Sequence, residues 1–210
     1  MPTLDFADTK GTCHLAYDAE QGQRYSFPDG TVWTVIESTA TWYTGFKAII
    51  IQPSGGSKNV TVLAFAGTDS ILDGLVDLSQ ATGGLPPQYS QALELTLRKK
   101  QEHGNLYLTG HSLGGGLAAY SSVITKIPAS TINPAPLVGA MTLGSLRANT
   151  QITNYIGGSG EVVSSSPGRN PGRDVHVPAT GNFFTRHMVA NVAPGTPLPQ
   201  RTGGGASGSW

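Results

Sequence analysis

A serine flanked by glycines is the clearest candidate for chemistry in this sequence. Ser112 lies in a Gly-His-Ser-Leu-Gly pattern between a short apolar run, 106–109, and helix-forming residues, 113–126. Gly110 and Gly114 would permit a sharp strand-to-helix turn, because neither carries a Cβ atom. Such a turn presents a serine hydroxyl at the carboxyl edge of a sheet, where a helix N-terminus directs N–H groups at a developing oxyanion. The alternative is a packed junction with structural glycines, but the surrounding pattern favours a nucleophile.

The segments around this serine predict the elements that would position it. Two apolar runs, 46–53 and 60–67, flank a turn-forming stretch and predict a hairpin or neighbouring core strands. Strands alternating with helix-length segments predict an α/β fold with a substantially parallel sheet. The further predicted elements are a helix at 88–102, a strand at 106–109, a helix at 113–126, strands at 130–132 and 152–156, and a weakly indicated helix at 143–148.

Composition narrows the classes of function. The 210 residues fit one domain, which we expect to span 1–190, with a tail rich in Gly, Pro and Ser at 191–210. Thirteen basic and thirteen acidic residues cancel, so nucleic acid is not an expected partner. Charged residues are only 12% of the chain, and such a surface tolerates uncharged or amphiphilic material. Cys13 is the single cysteine and is expected to pack as a small apolar residue.

Three runs together resemble a known family. The runs VLAFAGTDSILDGLVDL, LTGHSLGGGLAAYSS and INPAPLVG resemble the class 3 lipases, a family of α/β-hydrolases that cleave carboxylic esters of acylglycerols or phospholipids. The resemblance extends over about 46–191 and implies a mostly parallel sheet flanked by helices. Ala66 stands where the family commonly has arginine. The implied chemistry needs neither a cofactor nor a metal.

The resemblance also implies roles for two backbone donors and a base. Thr68 takes the oxyanion position with its N–H, and Leu113, which follows the nucleophile, supplies the second N–H. In this fold the acid follows the serine and the histidine follows the acid. His187 and His176 are then the candidates for the base, and the position of His187 before the last short amphipathic stretch favours it. His14 and His103 precede the serine, and His111 is adjacent to it with a side chain expected to point away from the hydroxyl.

The acid has two candidates. Glu161 lies where the family has an aspartate followed by an apolar residue, and some α/β-hydrolases accept glutamate there. Asp174 is the alternative.

Residues 71–87, from Ile71 to Pro87, occupy the place of a mobile lid or simply pack in the core. Three aspartates at 69, 73 and 77 share four-residue spacing, which favours a solvated helix start over a metal site.

These inferences predict a serine-dependent ester hydrolase acting on lipids, either a lipase or a phospholipase A. The alternatives are an esterase or thioesterase of small soluble compounds and a non-catalytic lipid-binding module. The expected partners are a lipid or phospholipid substrate, a transient membrane interface and an inhibitory immunity protein. No signal peptide or membrane span is evident in the sequence. In this respect, and in its compact size and lack of disulfides, the chain resembles bacterial lipase domains that contact-dependent secretion delivers as antibacterial effectors, and this resemblance implies action at the envelope of a target cell.

Overall fold

A computed structural model describes residues 3–55, 58–68, 85–138, 151–158, 168–182 and 185–202. Its helices are α1 (Phe6–Leu15), α2 (Pro87–Glu102) and α3 (Leu113–Thr125), with short 3₁₀ helices at Thr185–His187 and Val189–Asn191. Its strands are β1 (Arg24–Ser26), β2 (Val32–Thr41), β3 (Phe46–Pro53), β4 (Thr61–Phe65), β5 (Leu106–His111), β6 (Ala129–Ile132), β7 (Ile152–Gly157), β8 (Arg173–Val177) and β9 (Gln200–Thr202).

The nine described strands form one mixed sheet. Their order across the sheet is β8-β7-β6-β5-β4-β3-β2-β1-β9. Strands β4 to β8 are parallel to one another, whereas β3, β2, β1 and β9 pair in antiparallel fashion. The carboxyl ends of β4 to β7 therefore meet at one edge of the sheet, called the carboxyl edge below. Open α/β sheets place their ligand sites at this edge.

Helices cover both faces of the sheet. One face packs under α2 and α3, where Leu63, Phe65 and Leu108 are buried. The other face carries Val62 and Ala64, which belong to a separate apolar cluster beside the end of α1. Because neighbouring residues of β4 are buried on opposite faces, the strand is apolar at every position after its first residue, as expected for the parallel part of a sheet.

Helix α1 was not predicted from the sequence because most of its residues are polar. It is nevertheless mostly buried, because its polar side chains form hydrogen bonds with hydroxyls of the sheet. The Thr9 and Ser130 hydroxyls are 2.7 Å apart, and those of Thr12 and Thr109 are 3.1 Å apart. The Asp5 carboxylate caps the helix by accepting from the Asp8 N–H at 2.8 Å. Cys13 lies in the same helix with no exposed surface, so its prediction as a packed residue is confirmed, and burial raises the pKa of its thiol.

The predicted elements after residue 45 agree with the structure. The runs at 46–53 and 60–67 form the antiparallel neighbours β3 and β4, and the helices and strands predicted between 88 and 156 are present with ends within one or two residues wherever the structure describes them. The weak helix at 143–148 lies outside the described residues. No helix in the described ranges is long and apolar enough to cross a membrane.

The C-terminal segment differs from the predicted tail. Val192 is fully buried beside Cys13 and Ile132, and β9 extends the sheet by pairing with β1. Lys10, itself buried, donates to the carbonyls of Ala193 at 3.1 Å and Thr196 at 2.8 Å. The composition of 191–202 predicted an unpacked tail, but hydrogen bonds to its backbone, rather than a large apolar area, hold this segment in the fold. Residues 203–210 lie outside the described ranges.

Candidate active site

Ser112 occupies a strained turn between β5 and α3. Its backbone has φ 58° and ψ −127°, a region that residues with a Cβ atom rarely adopt. The turn is fixed on both sides, because the Ser112 N–H donates to the Ile132 carbonyl at 3.1 Å and its own carbonyl accepts from the Ala135 N–H at 2.8 Å. This is the geometry of a nucleophile elbow at the carboxyl edge, as the glycine pattern predicted.

The glycines around Ser112 are required by close backbone approach. A Cβ atom on Gly110 would overlap the Gly114 carbonyl, and one on Gly114 would overlap the carbonyl of Phe65 at the end of β4. Gly115 is similarly close to Pro134, where an added Cβ would lie 2.8 Å from the Cα atom. The start of α3 is therefore in close backbone contact with the segment after β4 and with the segment after β6.

The loop expected to carry the oxyanion donor lies beside Ser112. A Cβ atom on Gly67 would be 2.8 Å from the His111 carbonyl oxygen and 3.0 Å from the Ser112 Cβ. Thr68 follows directly and is half-buried. Leu113 is the first residue of α3, so its N–H belongs to the helix start that lacks intrahelical acceptors. The structure thus brings together Ser112, Leu113 and the segment that ends in Thr68.

His187 reaches the same edge on a short 3₁₀ helix. Asn182 begins this turn through a reciprocal pair: its side chain accepts from the Thr185 N–H at 2.9 Å, and its own N–H donates to the Thr185 hydroxyl at 2.8 Å. His187 is completely buried. No hydrogen bond between its ring and the Ser112 hydroxyl is among those formed by the described residues, although the ring packs against that of His111, the residue before Ser112, with centroids 4.6 Å apart.

Two side chains hold the backbone carbonyl of His187. His111 Nε2 lies 2.7 Å from this oxygen, and Asn133 Nδ2 donates to it at 3.0 Å. Since a carbonyl only accepts, the network assigns the hydrogen to Nε2 of His111. The other ring nitrogen, Nδ1, then accepts from the Tyr17 hydroxyl at 2.6 Å. Both ring nitrogens of His111 are occupied, which agrees with its exclusion as the base, but sequence reasoning missed its contact with His187.

Asn133 connects the ends of two strands to the histidine. It follows β6, has the left-handed φ of 43° that asparagine tolerates, and is fully buried. Its Oδ1 accepts from the Gly157 N–H at 2.7 Å, at the end of β7. The sequence signal for Asn133 was its place directly after a predicted strand, whereas Tyr17 gave no signal because the first 45 residues contain no recognised motif.

The candidate acids are positioned differently. Asp174 on β8 is the register partner of Asn154, which lies three residues before the end of β7. The Asp174 carboxylate accepts a hydrogen bond from the Asn154 side chain at 2.9 Å. It is exposed and lies back from the carboxyl edge. His176, the alternative base, is also exposed on β8. Glu161 lies outside the described residues, but it follows β7 by four positions, and β7 ends at the carboxyl edge.

Two other features predicted from the sequence fall between β4 and α2. The aspartates at 69, 73 and 77 lie outside the described residues, as do all but the last three positions of the segment 71–87. Within the described residues, no group of three His, Cys, Asp or Glu side chains is arranged to hold a metal ion.

Comparison with known proteins identifies the family. A model described as a Tle-like phospholipase domain, of the phospholipase-like group, matches residues 25–156, which is more than half of the chain. The chain belongs to the Tle-like phospholipase domain family. The matched range of this phospholipase-like domain includes Ser112, Asn133 and the loop ending in Thr68, and it ends before His187.

The Tle-like domain is also similar to individual phospholipases and lipases. Over 93 residues it is 47% identical to an extracellular phospholipase A1 from Serratia liquefaciens; these residues are 44% of this chain and 28% of that protein. The match therefore spans little more than a quarter of this relative.

Solved structures of lipases share the fold of the Tle-like domain. A triacylglycerol lipase from Penicillium expansum has a TM-score of 0.55 at 14% identity, with 90% of this chain and 86% of that chain covered. A lipase from Rhizopus microsporus var. chinensis has a TM-score of 0.52 at 11% identity, with coverage of 78% and 69%. The predictions of an α/β-hydrolase fold and of a lipase-type family are confirmed.

Proposed function

We propose that this chain hydrolyses carboxylic esters of lipids, as a phospholipase A or lipase, with Ser112 as the nucleophile. The observation that carries the proposal is the strained backbone of Ser112 at a strand-to-helix junction of the kind that α/β-hydrolases use for catalysis. Membership of a phospholipase family and the similarity to a phospholipase A1 support a lipid substrate, and favour a phospholipid among lipids. The alternative esterase of small soluble compounds lacks such support.

The proposed reaction is a two-step acyl transfer. His187 accepts the Ser112 proton as the hydroxyl attacks the ester carbon, and then protonates the departing alcohol. Water activated by the same histidine releases the fatty acid and restores the serine. The N–H groups of Leu113 and Thr68 stabilise the oxyanion from the helix start and from the loop after β4.

For the acid of this triad we favour Glu161. Strand β7 ends at the carboxyl edge, where the Gly157 N–H donates to the same Asn133 that holds the His187 carbonyl, and Glu161 follows Gly157 by four positions in the sequence. Asp174 is disfavoured because its carboxylate is engaged by Asn154 away from that edge. Glu161→Gln should then lower kcat strongly, and Asp174→Asn should leave it within about twofold.

The test is product analysis with a matched control. Wild type, Ser112→Ala and Ser121→Ala are each incubated with phospholipid vesicles, a triacylglycerol emulsion and short soluble esters, and mass spectrometry identifies the products. Ser121 is a suitable control because its hydroxyl is buried in α3 without a hydrogen-bond partner among the described residues. Release of fatty acid and lysophospholipid by wild type and Ser121→Ala, but not by Ser112→Ala, supports the proposal. Equal release by all three proteins would refute the role of Ser112.

The finer part of the proposal concerns biological use. We infer delivery as an antibacterial effector that acts at the envelope of a target cell and is neutralised in the producer by an immunity protein. Wild type directed to the bacterial periplasm should be toxic, whereas Ser112→Ala should be harmless. Equal toxicity of the two proteins would contradict this use.

A further inference from the structure

The turn between β2 and β3 exposes two aromatic side chains. Trp42 is 92% exposed and Tyr43 is 70% exposed, and their rings meet edge-on with centroids 5.7 Å apart. Trp33, by contrast, is fully buried in the preceding strand β2. Residues 41–45, called the aromatic turn below, therefore present the two most exposed large hydrophobic side chains of the described residues.

The aromatic turn is held in place by hydrogen bonds. The Gly45 N–H donates to the Thr41 carbonyl at 2.9 Å, and Gly45 has the positive φ of 68° that such a turn requires. Helix α2 supports the turn from the side: Gln88 Nε2 donates to the Thr44 carbonyl at 2.6 Å, and the Thr44 hydroxyl donates to Gln91 at 2.9 Å. The aromatic side chains are thus displayed by a fixed turn, so little additional order is lost when they bind.

The aromatic turn lies at the same edge of the sheet as Ser112. Strand β3 starts beside the end of β4, where Ala48 pairs with Phe65 and the Lys47 carbonyl accepts from the Ala66 N–H at 3.1 Å. Strand β5, which leads to Ser112, is the other neighbour of β4, so β3 and β5 are about 10 Å apart across the sheet. The aromatic turn therefore lies at the carboxyl edge, on the far side of β4 from the strand that leads to Ser112.

Other exposed apolar side chains lie at this edge. Leu85, 38% exposed, precedes the end of α2 that contacts the aromatic turn, and Met188, 48% exposed, follows His187. The sequence from 38 to 46 contains no charged residue. Apolar area, rather than charge, would therefore dominate any attraction between the aromatic turn and a partner.

We propose that the aromatic turn inserts into the headgroup region of a lipid bilayer and holds the carboxyl edge against the membrane. The inference rests on the proposed function, because a lipid hydrolase must meet its substrate at this edge. Tryptophan and tyrosine favour the boundary between headgroups and acyl chains, where an apolar ring and a polar N–H or O–H are both accommodated. An open groove of about 360 Å³ is lined by Thr39, Ala40 and Lys47 next to the turn and by Asp18 and Glu20, and it extends to Tyr17, whose hydroxyl lies beside Gly67.

Vesicle binding tests this surface independently of catalysis. All proteins carry Ser112→Ala to prevent hydrolysis, and their binding to phosphatidylcholine vesicles is measured by flotation. Replacing Trp42 and Tyr43 by alanine should weaken partition about tenfold or more, because each ring loses a large buried area. Ile124→Ala is the matched control: its side chain is 46% exposed, near the opposite end of the helix that Ser112 begins, and its removal should leave partition unchanged. Binding should persist in about 1 M NaCl, since charge is not its main source.

Activity measurements separate this inference from the proposed function. In protein that retains Ser112, Trp42→Ala should lower hydrolysis of vesicles about tenfold but leave hydrolysis of a monomeric short-chain ester within about twofold. Equal vesicle binding by the Ile124→Ala protein and by the protein with both Trp42 and Tyr43 replaced by alanine, or no vesicle binding by the parent, would overturn the membrane role. Absence of ester hydrolysis in wild type would instead refute the proposed function, while flotation would still decide the role of the aromatic turn.

Discussion

Asn133 is the residue whose replacement best separates positioning of the base from overall stability. In Asn133→Ala, the Gly157 N–H loses its acceptor and the His187 carbonyl keeps only His111 as a side-chain donor among the described residues. An orphaned buried donor costs about 1–3 kcal/mol, a lost neutral hydrogen bond about 1 kcal/mol, and a left-handed alanine about 1 kcal/mol more. The free energy of unfolding should fall by about 3–5 kcal/mol. This is a large share of the roughly 5–15 kcal/mol typical of a domain.

Catalysis should suffer more than stability alone explains. A shift of His187 by about 1 Å is expected to lower kcat by about 100-fold, whereas KM should change little because Asn133 is fully buried. The assay combines urea denaturation with steady-state hydrolysis of a soluble ester at a temperature where the variant is fully folded. Asn133→Asp is a useful second variant, because it retains an acceptor for Gly157 but places an oxygen against the His187 carbonyl; its kcat should also fall.

Asn154 provides the matched control. It is also fully buried and makes three side-chain hydrogen bonds, to Thr131, Pro171 and Asp174, but it lies back from the carboxyl edge. Asn154→Ala should lose comparable stability and keep kcat within about twofold while folded. If Asn133→Ala retains wild-type kcat, or if Asn154→Ala loses as much, the positioning argument is wrong.

Three further predictions concern the scaffold. Gly114→Ala should destabilise the protein by about 3 kcal/mol or more, because its Cβ would overlap the Phe65 carbonyl, whereas Gly104→Ala meets open space and should shift thermal melting little; equal melting temperatures would contradict this. Cys13 should react with a thiol reagent only as fast as the domain opens, since it is fully buried; rapid labelling of native protein would show that it is accessible. Lys10→Met should lower stability by about 2–4 kcal/mol and expose 190–202 to proteolysis, because three carbonyls lose their donor. Lys100→Met, which removes a single bond to the Thr125 carbonyl, is the control, and identical cleavage of both variants would refute the tether.

The sequence predicted the parts of the fold whose signals are local. The glycines around Ser112 specify a turn by excluding Cβ atoms, and apolar runs such as that of β3 specify buried strands regardless of their partners. Helix α1 was missed because its buried residues are mostly polar and are satisfied by hydroxyls of distant strands, which no periodicity reports. The segment 191–202 was missed for a related reason, since its main partner, Lys10, is about 180 residues away in sequence.

The candidate site was predictable to a similar extent. Ser112, Leu113 and Thr68 were proposed from strand ends and from the resemblance to lipases; the structure places Ser112 and Leu113 at the start of α3 and Gly67, which precedes Thr68, beside Ser112. His187 follows from chain order, but the residues that hold it do not, because Tyr17, His111 and Asn133 come from three separate elements. The candidate catalytic residues have strong local signatures in this chain, whereas the side chains that position them depend on contacts between segments that are remote in sequence.

The hydrogen bonds between Lys10 and the carbonyls of 190–196 also influence the order in which parts of the candidate site form during synthesis. Ser112 and its turn can form once residues up to about 135 have left the ribosome, since their partners lie within that range. The segment carrying His187 cannot be fixed until Thr196 is available to Lys10, nor can β1 gain its outer partner before β9 is synthesised. We therefore expect the turn at Ser112 to be assembled early and the segment at His187 late. If the two residues act together as proposed, a nascent chain would gain activity only after synthesis has passed this segment.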